Sequence, residues 1–347
     1  MTSILMSAVY ICAKTGGLLI KLMMLCITVL MLMPAAFGEE KFEPTLIWDN
    51  KLNSSISAGA MSSNGNLMAF GHPSGLIQVF NRTFDILWSS WTDDAVQSVG
   101  LSFDGRYLAR GSGTKLAFYD REELKWTEES GYVRDVAISG KGRFISAGVG
   151  SEVKLFDITG ELIKKFSLQS AVESVSISND GGTIAIGDQS LVYLYDKEDG
   201  VLWSYSLGDP VFDTAISFGG EFIVAGTKSG YIYLFSRRGK LLWARSVDTS
   251  PIYTVTVSRD AKYVAVGSGG ELIIFDREGD ALWIRKSSHV LWTGMPSGGQ
   301  SLAVVSERRS VSLFNFPDTT PLSVEITAPA NGSIVSGVVD VTVTRRG

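Results

Sequence analysis

The sequence predicts an all-β fold built from seven copies of one four-stranded antiparallel unit, and three observations predict it. Within residues 172–203, VESVSISNDGGTIAIGDQSLVYLYDKEDGVLW, short apolar strands alternate with turn residues. The segment V-E-S-V-S-I-S alternates as a half-buried strand should. Asn179-Asp180-Gly181-Gly182 supplies residues that tolerate a hairpin turn. The same pattern recurs in phase along the chain. The composition suits it as well: 37 glycines for tight turns, 45% hydrophobic residues for a large core and only 19% charged residues.

The phase is set by a serine that ends the first strand of each copy: Ser62, Ser102, Ser139, Ser178, Ser217 and Ser258, with Pro296 in the seventh. Successive spacings are 40, 37, 39, 39, 41 and 38 residues. Six positions earlier stands an aliphatic residue: Ile56, Val96, Val133, Val172, Val211, Ile252 or Val290. Nine positions later six copies carry glycine: Gly71, Gly111, Gly148, Gly187, Gly226 and Gly267. The third strand ends in an aromatic and then Asp or Asn in most copies, as in Phe80-Asn81, Tyr195-Asp196 and Phe314-Asn315. One such sheet buries too little to be stable alone. Four strands repeated every ~40 residues are the mark of a β-propeller, here with seven blades.

The core V-x-x-V-x-I-S-x-D-G-x-x-I-A-x-G, followed by L-F-D or its variants, resembles a WD40 repeat without its Trp-Asp ending. The ending G-x-L-x-W resembles the tryptophan motif of PQQ-like propeller repeats, as in Leu87-Trp88, Leu202-Trp203, Leu242-Trp243 and Leu282-Trp283. The resemblance covers roughly residues 42–316. It implies a scaffold fold, and the six phased tryptophans Trp48, Trp88, Trp126, Trp203, Trp243 and Trp283 are read as packing between blades. Blade three has Lys164 at the tryptophan position, so its packing is expected to be the weakest.

In chain order, residues 1–38 read as a signal peptide or N-terminal anchor. Lys14 and Lys21 precede a 12-residue apolar run at residues 22–33, and Ala36-Phe37-Gly38 offers a cleavage site. Cys12 and Cys26 both lie in this leader, so residues 39–347 contain no cysteine and no disulfide. Residues 39–317 are assigned to the propeller. FEPTLIWDNKL at residues 42–52 looks like an isolated fourth strand, and the seventh copy lacks one; the N-terminal strand is therefore expected to complete the last blade and close the ring. Residues 318–347 resemble the first two strands of a bacterial or archaeal immunoglobulin-like surface module. Sequons stand at Asn53, Asn81 and Asn331.

Net charge is −5 with no basic run, which argues against nucleic acid as a partner. Contact with a membrane is expected only through an uncleaved leader, and the chain is expected to be a monomer. No zinc, calcium or nucleophile-elbow motif is present, and the two histidines, His72 and His289, stand at unrelated offsets. No cofactor, metal or catalytic residue is assigned.

The better functional candidates are residues that break the repeat near the start of the innermost strand. These are Gln97, Arg134, Asp135, Glu173, Phe212, Asp213 and Tyr253, with the out-of-phase aromatics Trp91, Tyr132 and Trp292 on the same rim. Aromatics flanked by charges are what recognition surfaces contain. The reading is a secreted or cell-surface, non-enzymatic propeller that binds a protein or glycan through its loop face. Two alternatives stand beside it: a PQQ-dependent or lactonase-like propeller enzyme, and an envelope assembly factor similar to the PQQ-like scaffold of outer-membrane protein insertion.

Overall fold

A computed structural model describes residues 42–248 and 251–317. The chain divides into the units Met1–Glu43 and Pro44–Gly347, and every element below belongs to the second. The leader with Cys12 and Cys26, the immunoglobulin-like segment 318–347 and the sequon at Asn331 lie outside the described residues.

The described residues form 28 strands and no helix. They pair into seven antiparallel four-stranded sheets. The innermost strands are β2 (Ala58–Met61), β6 (Val96–Leu101), β10 (Val133–Ile138), β14 (Val172–Ile177), β18 (Val211–Ile216), β22 (Ile252–Val257) and β26 (Val290–Gly294). Each touches the next, and β26 returns to β2, so the sheets stand in a closed ring. In the seventh blade β26, β27 (Ser301–Ser306) and β28 (Ser310–Asn315) are completed by β1 (Thr45–Lys51). β1 pairs with β28 from Thr45↔Asn315 to Lys51↔Ser310, as the lone N-terminal strand motif predicts.

The phased residues have separate physical roles. The anchor serine closes the first hairpin: in blade four Ser178 Oγ accepts from Thr183 N at 3.0 Å and donates to Asp180 at 2.6 Å. The same pair of bonds recurs at Ser62, Ser102 and Ser258. The glycine on the second strand and the aliphatic residue on the first form one lock between blades. A Cβ on Gly111 would stand 2.6 Å from Val133 of the next blade, and one on Gly148 2.6 Å from Val172. Both contacts are below what real Cβ atoms show, so only glycine lets the next inner strand seat. Val305 takes this place in blade seven, and the junction to blade one is filled instead by Ile56, Phe70, Phe80 and the flanking Trp48 and Trp292.

The tryptophans staple the outside of the ring. Trp203 Nε1 donates to the Arg237 carbonyl at 2.8 Å and Trp243 Nε1 to the Arg277 carbonyl at 2.8 Å, each in the next blade. Trp126 and Trp48 make the same bond to Ile158 and Arg82. Trp88 stacks on Tyr119 of the next blade, and Trp283 meets Phe314 edge-on. Blade three corrects the expectation of weak packing there. Lys164 Nζ donates to the carbonyls of Lys197 and Glu198 at 2.6 and 3.0 Å, reaching the turn that a tryptophan would reach. An ammonium thus makes the cross-blade link of an indole. Lys164→Met is expected to cost about 1–2 kcal/mol in urea unfolding, because two carbonyls lose a charged donor; Lys164→Trp should recover most of it.

A second belt runs round the end of the channel where the first hairpins turn. Asn64 N donates to Phe103 O, Phe103 N to Gly140 O, Gly140 N to Asn179 O, and Asn179 N to Phe218 O. On the other side Arg259 N donates to Ser297 O and Ser297 N to Ser63 O. Between Phe218 and Arg259 the Arg259 guanidinium instead lies 4.2 Å from the Phe218 ring centroid. Phe218 also meets Phe103 from the opposite side of the channel, with centroids 5.7 Å apart. Two aromatics and one arginine therefore narrow this end.

Candidate functional site

The other end of the channel carries the candidate residues. Antiparallel pairing brings the start of each first strand beside the end of the second, as in Val133↔Val149. The loops between blades and the turns joining second to third strands therefore share one face. In six of the seven inner strands the register slips at the residue after the aliphatic, for example between Val133 and Asp135. A β-bulge leaves one residue unpaired and re-aims its side chain. The bulged residues are Gln97, Arg134, Glu173, Phe212, Tyr253 and Leu291, so the variable set stands on a repeated backbone device.

Some of these side chains are tied together. Arg134 reaches across to Glu173 of the next blade, Nε at 2.9 Å and Nη2 at 2.7 Å, and Gln189 Nε2 also donates to Glu173. Gln97 Oε1 accepts from Gly113 N at 2.6 Å and braces its own blade's turn. Tyr253 packs on His289, with centroids 5.5 Å apart. Phe212 is half-buried. Trp91 and Tyr132 are free of ring partners among the described residues and are 69% and 54% exposed. Trp91 ends the outer strand of blade one, and Tyr132 lies in the loop between blades two and three.

Asp135, Asp213 and Trp292 point elsewhere. They occupy the position after the bulge, and the structure uses that position to join inner strands. Asp135 Oδ1 accepts from Ser98 Oγ at 2.6 Å in the blade before, and Oδ2 from Val175 N at 2.8 Å in the blade after. Asp213 repeats this with Ser174 Oγ at 3.2 Å and Val255 N at 2.7 Å. Thr254 and Thr293 continue the ring at 3.1 Å. Burial pushes the Asp213 carboxyl up to about 7, opposed by the Val255 bond and reinforced by the nearby Asp135. Burial raises Asp135 as well, against the Ser98 and Val175 bonds. Trp292 lies edge-on to Phe70 of blade one at 5.7 Å and covers Gly59, where a Cβ would stand 2.5 Å from the indole. These three residues hold the hub together, whereas Arg134, Trp91 and Tyr132 are exposed and Glu173 and Tyr253 half-buried.

One polar group, Arg110, escaped the sequence reading, and the enclosure of His72 was not legible there. Arg110 is only 4% exposed beneath the loop of Asp93 and Asp94, and its Nε has no partner. Burial lowers its pKa while Tyr119, Asp94 and Asp93 oppose this. Its signal in the sequence was a charge at the strand position that reads Ala147, Ile186, Ala225 and Val266 in blades three to six. His72 is enclosed, with Nδ1 2.8 Å from the Ser55 carbonyl and 2.9 Å from Ser54 Oγ. The carbonyl fixes the proton on Nδ1, and burial keeps the ring neutral. Of the sequons, Asn53 is exposed, while Asn81 is engaged in its own turn through Thr83 and Asp85. Among the described residues no group of three or more His, Cys, Asp or Glu is placed to hold a metal ion.

Residues 149–315 match the model of a PQQ-like repeat family described as outer membrane protein assembly factor BamB. Over those residues the chain is similar to PQQ-like repeats of the BamB type. The match runs from the end of the second strand of blade three through blade seven, and blades one and two share the strand order, glycine lock and inter-blade staples of the matched blades. No curated protein matches the chain. The tryptophan motif that resembles PQQ-like repeats is thus the outer staple of the ring.

Proposed function

We propose that this PQQ-like propeller is a non-enzymatic scaffold of the cell envelope or surface that holds a protein partner against its loop face. One observation carries the reading: bulges at the same place in successive blades present side chains that differ from blade to blade, while the rest of each blade repeats. A repeated frame with a variable rim is suited to recognition, and rigid strands position such residues better than loops do. The family description, an outer membrane protein assembly factor, favours a protein partner over a glycan. The apolar, lysine-led residues 1–38 favour export.

The test is a benzophenone cross-linker placed in living cells at Tyr253 or Leu291 on the loop face, or at Lys141 on the opposite face. A discrete protein adduct from the first two positions and none from the third is expected. Adducts from Lys141 alone would overturn the reading. Binding of the purified chain to a glycan array, without any adduct, would move it to the glycan alternative.

A further inference from the structure

We infer that the loop face over blades one to three is a docking surface for an extended, Lys- and Arg-bearing segment of a partner protein. The inference rests on the scaffold reading and adds the partner's chemistry. Trp91 is the most exposed large apolar side chain among the described residues, at 69%, and Tyr132 is 54% exposed. Every phased tryptophan lies in a blade junction, but Trp91, at the end of β5 (Ile86–Trp91), lies on no neighbour's ring. An indole left in water beside carboxylates is the arrangement that receives a cation over its face.

The carboxylates are there. Asp93 and Asp94 follow Trp91 in the first loop, and Glu128 and Glu129 end the outer strand of blade two just before the loop of Tyr132; all four residues are exposed. Main-chain and side-chain bonds weave the two loops into one surface. Between them lies the turn at Gly113–Thr114, where Gly113 O accepts from Val133 N at 2.9 Å and Thr114 O from Ser130 N at 2.9 Å. Thr114 Oγ1 donates to Glu129 at 2.9 Å, and a Cβ on Gly113 would stand 3.3 Å from the Asp94 carboxylate. Against these four acids stand Lys115, paired in register with Glu129, Lys154, whose Nζ donates to Ser130 O at 2.8 Å, and Arg110, which is enclosed; Arg134 at the blade-three end is already paired with Glu173. Arg110 feels the charge of Asp93 and Asp94 from within the blade. The surface is therefore negative, aromatic at both ends and continuous. An anionic lipid or nucleic acid would be repelled by these carboxylates. A segment of alternating cationic residues satisfies both kinds of group at once.

The probes are a short acetylated peptide of repeating Lys-Ser-Arg and its Glu-Ser-Asp counterpart, titrated into the full chain by calorimetry. The cationic peptide is expected to bind and the acidic one not. Affinity should fall severalfold as salt rises from about 50 to about 300 mM. Trp91→Ala, and separately Asp93→Asn with Asp94→Asn, should each weaken it about tenfold, a hot-spot effect, with unchanged thermal unfolding. Tyr231→Ala, a 46% exposed tyrosine on blade five, should leave it intact. Equal binding of both peptides, or binding indifferent to the Trp91 and Asp93–Asp94 variants, would overturn the inference. Cellular adducts at Tyr253 with no effect of Trp91→Ala would leave the scaffold reading standing and remove this one; absence of any loop-face adduct would remove the scaffold reading itself.

Discussion

Deleting residues 39–52 is expected to unfold the whole propeller rather than trim one strand from it. β1 supplies the outer strand of blade seven and its cross-blade staple at once. Trp48 Nε1 donates to Arg82 O at 2.9 Å in blade one, and its ring lies 4.9 Å from Phe84. Asp49 accepts from Ser312 Oγ at 2.7 Å. Without β1, β28 becomes a raw edge, and the cluster of Phe70, Phe80, Val311 and Leu313 loses the Trp48 and Leu52 cover. Trp48→Ala alone should cost about 2–3 kcal/mol, the half-buried share of a core tryptophan deletion. The full deletion adds the loss of the β1–β28 ladder, enough to consume most of the ~5–15 kcal/mol that a domain possesses. Circular dichroism and urea unfolding check it. A truncated chain melting with the intact one would refute closure by this strand.

The second large effect is a pH dependence centred on Asp213. Its folded pKa, about 7, lies well above the ordinary carboxylate value because burial disfavours the charge. The folded state therefore binds a proton that the unfolded state has released. That stabilisation is complete below the unfolded pKa of ~4 and is lost as pH rises through about 7. Ser174 makes the protonated form acceptable. Its hydroxyl can turn to accept from Asp213, handing its own proton to Thr214 Oγ1, 3.2 Å away. The loss between pH 5 and pH 8 is expected to be on the order of 2–4 kcal/mol. His72 acts in the opposite sense, since a folded pKa lowered by burial makes stability rise with pH through the histidine range. The difference between wild type and Asp213→Asn isolates the carboxylate: the variant should lose Asp213's share of the fall and keep that of Asp135 and the histidine's rise. Parallel pH profiles for the two proteins would refute the assignment.

The ring was legible because its determinants recur. Gly148 and Val172 are both visible as phased residues, and the turn serines likewise; only the juxtaposition of blades shows that the glycine exists to receive the valine. Lys164 misled because a charge at a tryptophan position looks like a defect. Its reach to two carbonyls depends on where the next turn lies, which no spacing within one copy reveals. Asp135 and Asp213 were rightly singled out as breaking the repeat, yet chain position alone does not distinguish a side chain aimed at a partner from one aimed at the adjacent blade. The belt through Phe103, Phe218 and Arg259 went unnoticed because it is made largely of main-chain groups. Its one sequence trace is the residue after each anchor serine, which reads Ser63, Phe103, Gly140, Asn179, Phe218, Arg259 and Ser297.

Pairing of β1 with β28 also sets the order of events during synthesis. The first strand to leave the ribosome finds its partner only after about 260–270 further residues, which at ~5–20 residues per second means a delay of tens of seconds. Throughout that interval six blades can assemble, but Trp48 and Leu52 lack the junction cluster they cover in the closed ring. A holding chaperone, or an unfolded passage across a membrane before any blade forms, would shelter them until the final hairpin emerges.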